Sequence, residues 1–157
     1  MIKVLNEKEL RLRVLTERNK GSDVVTTNGV FDLLHYGHIH SLEKARNAGD
    51  FLIVGLNSDA SVRRHKYENG PVFNETERAM TLAGLQSVDA VYIFPEDDPT
   101  KFLDIVKPKW HVKSREGFKG LERGVVERNG GQILLIDDIG DYGSDRDWET
   151  INCIYTL

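Results

Sequence analysis

The chain has 157 residues, 39% of them hydrophobic and 29% charged, with a formal net charge of −4 at pH 7 and a single cysteine, Cys153. That length suits one domain with its own core, and the composition is that of a folded chain. The acidic balance disfavours a nucleic-acid partner and the lone cysteine excludes an internal disulfide; the charged opening residues do not read as a secretory leader, and no apolar run reaches the ~18 residues of a membrane span, so a cytoplasmic protein with no membrane partner is expected.

Leu10, Val14 and Leu15 recur among charges in the first twenty residues and predict a surface helix, an N-terminal helical extension. The β-branched run at 24–30 predicts the first strand. Ile39, Leu42 and Ala45 share one face of a helix over 36–48, with Gly49 as its stop. FLIVGL at 51–56 is a continuous apolar run, as in a strand covered on both faces. Ser58 or Asp59 can cap a short helix running to Arg64, and Asn74 stands three residues before Glu77, a capping box that opens a helix over 75–85. AVYIF at 90–94 predicts a third strand, and Asp98-Pro99 starts a helix that ends before Pro108. WHVK at 110–113, a helix over 119–128 closed by Asn129-Gly130-Gly131, and QILLI at 132–136 complete the series.

This alternation predicts an α/β, Rossmann-like fold: one doubly wound, five-stranded parallel sheet in a single domain, with helices on both faces. Ligands of such sheets sit outside the carboxyl ends of the strands, where strand order reverses. The richest polar segment, TTNGVFDLLHYGH at 26–38, leaves the first strand, turns and enters a helix, so it lies at that edge. A helix N-terminus there presents unpaired N–H groups and the positive end of the helix dipole to an anion. His35 and His38 are three apart and share one side of the first turn, and Gly37 between them removes a side chain where a phosphate or base could approach. Two imidazoles so placed suit phosphoryl transfer, which asks for alignment and charge neutralisation. Helix-cap or surface histidines are the plainer alternative; a zinc site with His40 is disfavoured, because His40 lies on another side of the helix. No P-loop and no G-x-G-x-x-G after the first strand is present.

Gly29-Val30-Phe31-Asp32 followed by His35-Tyr36-Gly37-His38 resembles the signature of the cytidylyltransferase-like nucleotidyltransferases. The likeness runs over 24–136 and takes in Asn57-Ser58-Asp59, Lys66, Pro71-Val72, Glu77-Arg78, Val88-Asp89, Pro99 and Val112-Lys113. Within the family, the adenylyltransferase domain of bacterial heptose 1-phosphate enzymes is similar, and glycerol-3-phosphate cytidylyltransferases come next. The resemblance implies a HUP-type fold and transfer of a nucleoside monophosphate from a nucleoside triphosphate to a phosphorylated small molecule, with release of pyrophosphate. It implies Mg²⁺ held mainly by the nucleotide phosphates, with no metal ligands from the protein, and a homodimer. ATP with a sugar phosphate is the expected pair; CTP with an alcohol phosphate is the alternative, and a non-catalytic nucleotide-binding module a further one.

The resemblance assigns His35, His38, Lys66 and Asp32 to catalysis, and Asn28, Gly29, Val30, Phe31, Gly37 and Lys113 to the nucleotide. Asp32 equally reads as a helix N-cap, Phe31 as core, and Lys66, with Arg63 and Arg64, as a solvated basic face. Asp32, Asn57 and Arg78 would meet the acceptor; for Arg78 the alternative is a surface ion pair with Glu75 or Glu77, and for Asp59 a helix cap. Lys113 matches the lysine that begins a K-G-G-D-Y stretch lining the nucleotide site in the heptose enzymes; here Ser114 and Arg115 replace the glycines, implying a pocket shaped for a different base or acceptor. The C-terminal segment, 138–157, departs further: only Ser144 matches the hydroxyl-rich helix start that holds phosphates in the family, Asp145 and Asp147 would repel them, Arg146 could compensate, and Trp148 stacks or packs.

Overall fold

Two opposed apolar stripes run along the central strands. Val24, Phe51 and Ile53 point to one face, Val25, Leu52 and Val54 to the other. A sheet apolar on both faces needs a helical layer on each, and the chain supplies them. A computed structural model describes residues 3–139. In chain order the elements are β1 (Val4–Leu5), α1 (Glu7–Asn19), β2 (Val24–Gly29), α2 (Tyr36–Arg46), β3 (Phe51–Asn57), α3 (Asp59–His65), α4 (Glu75–Ala83), β4 (Ala90–Phe94), α5 (Thr100–Val106), β5 (Trp110–Ser114), α6 (Leu121–Arg128) and β6 (Gln132–Ile136). All strand pairs are parallel, in the order β1-β4-β3-β2-β5-β6.

One face packs against Leu10 and Val14 of α1, Phe102, Leu103 and Val106 of α5, and Val125 and Val126 of α6. The other packs against Leu42 and Ala45 of α2 and Ala79 and Leu82 of α4. Each such apolar side chain stabilises the fold by roughly 1.5–3 kcal/mol on burial, Ala excepted.

The sheet has six strands, one more than expected. The sixth is β1, which pairs Val4 with Val91 and Leu5 with Tyr92. Two residues carry no readable period, so this strand exists only through its partner. The N-terminal helix is likewise no appendage: Leu10 and Val14 are core, while Leu15 faces solvent. Gly49 does not stop α2 by a left-handed turn. Asn47 caps that helix in a right-handed conformation, and Gly49 is required by space, since a Cβ there would stand 2.6 Å from Val25 Cγ2 and 2.7 Å from the Asp23 carbonyl oxygen.

The predicted capping box is present: Asn74 Oδ1 accepts from the Glu77 amide at 3.0 Å and Glu77 Oε2 from the Asn74 amide at 3.1 Å. Ser58, not Asp59, caps α3. Gly120, at φ +86°, precedes α6, which starts at Leu121 and leaves Lys119 in the loop before it.

From β2 the chain adds β3 and β4 on one side, then returns to add β5 and β6 on the other. Strand order therefore reverses beside β2, and in sheets of this kind the crevice that takes the ligand opens between the loops that leave the carboxyl ends of the two strands flanking the reversal, here β2 and β5. Among the described residues no helix is long and apolar enough to cross a membrane.

Candidate active site

The loop leaving β2 enters the crevice under tension. Phe31 takes φ +47°, an unusual value for a bulky residue, and this turn puts its ring in the core against His38, with centroids 5.4 Å apart. The ring also explains Gly29, where a Cβ would stand 3.0 Å from it.

Asp32 is not the cap of α2. Its Oδ2 accepts from the Val72 amide at 2.8 Å and its Oδ1 from the Phe73 amide at 2.9 Å, so it fastens the motif loop to the segment before α4. The cap is His35, whose Nδ1 accepts from the Gly37 amide at 3.1 Å. His38 Nδ1 in turn faces the His35 amide at 3.4 Å, and the two rings stack with centroids 3.8 Å apart. Both imidazoles are half-buried at the helix N-terminus, at the edge the sheet opens toward. Burial, then the neighbouring His35, then Lys66 push the His38 pKa down to about 4 against the pull of a hydrogen bond to the Leu33 backbone. At neutral pH His38 is therefore an uncharged imidazole until an anion arrives.

Three lysines gather at the same edge. Lys66, the residue closing α3, is exposed overall, yet surrounding atoms and then Lys119 hold its pKa below the ordinary lysine value. Lys113, at the end of β5, reaches across the reversal point: its Nζ donates to Asn28 O at 3.1 Å and Asn28 Oδ1 at 3.2 Å. Burial lowers its pKa, Glu122 raises it, and Lys66 and Lys119 lower it further. Lys119 thus acts on both Lys66 and Lys113, and Lys66 on Lys113, and a polyanion would relieve the repulsion among the three charges.

Other predicted residues stand further from this cluster. Arg64 and His65 pair with Asp97, away from the motif histidines, whereas Lys66 acts on His38. Ser114 Oγ closes a turn by accepting from the Gly117 amide at 3.0 Å, and Arg115 pairs with Asp137 in solvent. Asn57 holds Ser61 Oγ through its side-chain amide.

Arg78 corrects both expectations made for it. Its side chain is closed to solvent, so it neither faces an acceptor nor pairs on the surface with Glu75 or Glu77. Its guanidinium donates to the carbonyls of Phe73, Val30 and Asn57 at 2.9, 2.6 and 2.9 Å and to Asp59 Oδ1 at 2.7 Å. It locks the motif loop, the end of β3, the start of α3 and the segment before α4 into one unit. Burial and then Asp32 raise the pKa of Tyr67, which stands beside this knot.

Ser144, Asp145, Arg146, Asp147, Trp148 and Cys153 lie outside the described residues. Among the described residues no three His, Cys, Asp or Glu side chains cluster as metal ligands, and His40 turns instead toward Tyr36. Lys119 and Glu122 were not anticipated. A helix drawn from residue 119 hid Lys119 on its face, whereas Gly120 signals that the lysine stays in the loop at the carboxyl edge.

The profile of the cytidylyltransferase-like family matches residues 26–139, and the chain belongs to that family. It is 45% identical over 157 residues to the bifunctional protein HldE of Citrifermentans bemidjiense, a match covering 98% of this chain and 32% of the relative, and 48% identical over 136 residues to HldE of Bradyrhizobium sp., covering 84% and 27%. The chain thus spans between a quarter and a third of the length of these curated relatives. Among solved structures it resembles the lipopolysaccharide core biosynthesis protein of Thermoplasma volcanium, with TM-score 0.67 and 30% identity over 76% of this chain and 99% of that one. A pantoate-beta-alanine ligase of Francisella tularensis shares the fold at TM-score 0.58 and 16% identity, covering 100% of this chain and 79% of that one.

Proposed function

We propose that the chain is a nucleotidyltransferase that moves the AMP of ATP onto a phosphorylated sugar, such as heptose 1-phosphate, and releases pyrophosphate. The observation that carries this reading is the stacked His35–His38 pair at the start of α2, with Lys66 beside it and Lys113 and Lys119 beside Lys66, at the point where strand order reverses. Membership of the cytidylyltransferase-like family supports the reaction type. The name of the lipopolysaccharide core biosynthesis relative, together with the resemblance to the heptose 1-phosphate enzymes, supports a sugar acceptor.

In this reaction an oxygen of the acceptor phosphate attacks the α-phosphorus of the nucleotide. The bond from that phosphorus to the oxygen bridging to the β-phosphate breaks, and its electron pair leaves with pyrophosphate. A phosphate oxygen already ionised needs no general base. The work left to the protein is alignment and neutralisation. His35 and His38 donate hydrogen bonds to the triphosphate from the positive end of α2. Lys66 and Lys119 meet the departing phosphates, and Lys113, tied to Asn28, fixes the nucleotide side. Asp32 and Arg78 set the shape of the acceptor side through the segment at 72–74. Mg²⁺, held mainly by the nucleotide rather than by the protein, would offset part of the phosphate charge.

Pyrophosphate release is measured with ATP and CTP against a panel of sugar 1-phosphates and alcohol phosphates. Release with ATP and a sugar 1-phosphate is the expected result. Release only with CTP and an alcohol phosphate would replace the acceptor and base named here, and nucleotide binding without release from any acceptor would remove the transferase reading.

A further inference from the structure

Below the cationic edge lies a buried polar set with no part in the reaction as described. Thr26 and His111 face each other across β2 and β5, both fully buried, with Thr26 Oγ1 2.8 Å from His111 Nδ1. Two residues further along the same strands, and so on the same face, stand Asn28 and Lys113. The helix over this face is α6: its Val125 and Val126 pack in one cluster with Val24 and Ile53, whereas Val112 belongs to the opposite side. The first turn of α6 brings in Glu122, which is only 6% exposed and whose Oε2 is buried without a hydrogen-bond partner. A carboxylate oxygen left so is costly unless a charge answers it.

We propose that Glu122 is a positioning residue for Lys113: its carboxylate is the counter-charge that fixes the lysine ammonium at the crevice, where the nucleotide phosphates would meet it. The inference rests on the nucleotidyl-transfer reading of the site. The charged groups facing Lys113 are Glu122 from α6, Lys66 from the end of α3 and Lys119 from the loop before α6, with His111 on its own strand. Glu122 alone favours the ammonium; burial and the two lysines oppose it. Without Glu122, Lys113 loses its proton more readily and is held less firmly on Asn28.

Glu122→Gln keeps the shape and removes the charge. Side-chain amine NMR of the whole ligand-free chain, with Lys113→Arg to assign the resonance, follows the Lys113 titration directly. In Glu122→Gln the midpoint should move to lower pH, and Glu122→Asp should restore it in large part. The KM for ATP in Glu122→Gln should rise about tenfold at pH 9 and less at pH 7, with kcat little changed; in a Lys113→Arg background the same change should leave the pH profile where it was, because arginine does not titrate there. An unmoved Lys113 midpoint in folded Glu122→Gln overturns the inference, whatever the activity. Should Glu122→Gln fail to fold, the charge-free Glu122→Met carries the test in its place, with a shift to lower pH expected and an unmoved midpoint overturning the inference. A wild-type chain that releases no pyrophosphate sinks the transfer reading instead, and the amine titration still decides the role of Glu122.

Discussion

His111 offers a prediction whose size follows from its surroundings. The ring is wholly enclosed; burial first, then Lys113, bring its pKa down to about 3, with the hydrogen bond to Thr26 pulling the other way. The unfolded chain protonates the same imidazole near 6.5. A depressed histidine leaves the folded state unable to bind a proton that the unfolded state takes up, so its contribution is intact above the unfolded pKa and is lost as pH falls below it. At pH 5, roughly 1.5 units below that value and still above the folded one, the loss comes to about 2 kcal/mol, at about 1.4 kcal/mol per unit. His111→Asn keeps an atom near the Nδ1 position for Thr26 and removes the titration. Urea unfolding of both proteins at pH 7 and pH 5 gives four stabilities. His38 also titrates in this window but is common to both chains, so the difference of differences isolates His111. The wild type should lose about 2 kcal/mol more than the variant between the two pH values. Equal losses would refute the enclosed, neutral ring.

Four further outcomes follow from the site. His38→Ala should lower kcat about 10²- to 10³-fold with little change in KM, read by pyrophosphate release, because the ring is assigned to charge that develops in the transition state. Lys119→Ala should raise the KM for nucleotide about fivefold and flatten its salt dependence, since an exposed loop ammonium acts through charge alone. Arg78→Met should cost about 3–5 kcal/mol in urea unfolding, because it leaves Asp59 and three carbonyls without their donor; a loss below 1 kcal/mol would mean the buried guanidinium is dispensable. Asp32→Asn puts a donor against the Val72 or Phe73 amide, so the KM for acceptor should rise about tenfold with a smaller rise in the nucleotide KM, as steady-state kinetics with each substrate varied would show.

Much of the layout was written locally. Continuous apolar runs at 51–56, 90–94 and 132–136 are strands, and Asn74 with Glu77 is the capping box its spacing announces. The motif histidines stand together because three residues of helix bring them round to one side. What failed to show was decided at long range. Val4 and Leu5 are a strand only because Val91 and Tyr92 pair with them. A charged residue on a capped helix reads as surface, yet Arg78 is buried because carbonyls from three other segments converge on it. Asp32 looked local to its turn, but its partners are 40 and 41 residues away. Glu122 looked like one more acid of a helix start; only the packing of α6 over the face that carries Lys113 distinguishes it from exposed acids such as Glu9 of α1 and Glu77 of α4.

The Arg78 knot also has a mechanical consequence. One guanidinium ties together three stretches of chain, at Val30, at 57–59 and at Phe73, and Asp32 stitches the first to the last a second time. Such stretches cannot breathe separately, since releasing one strips partners from the rest. The amides of Val72 and Phe73 and those of the turn after β2 should therefore exchange with deuterium through a single shared opening, so that whatever loosens the acceptor wall loosens the nucleotide floor in the same event.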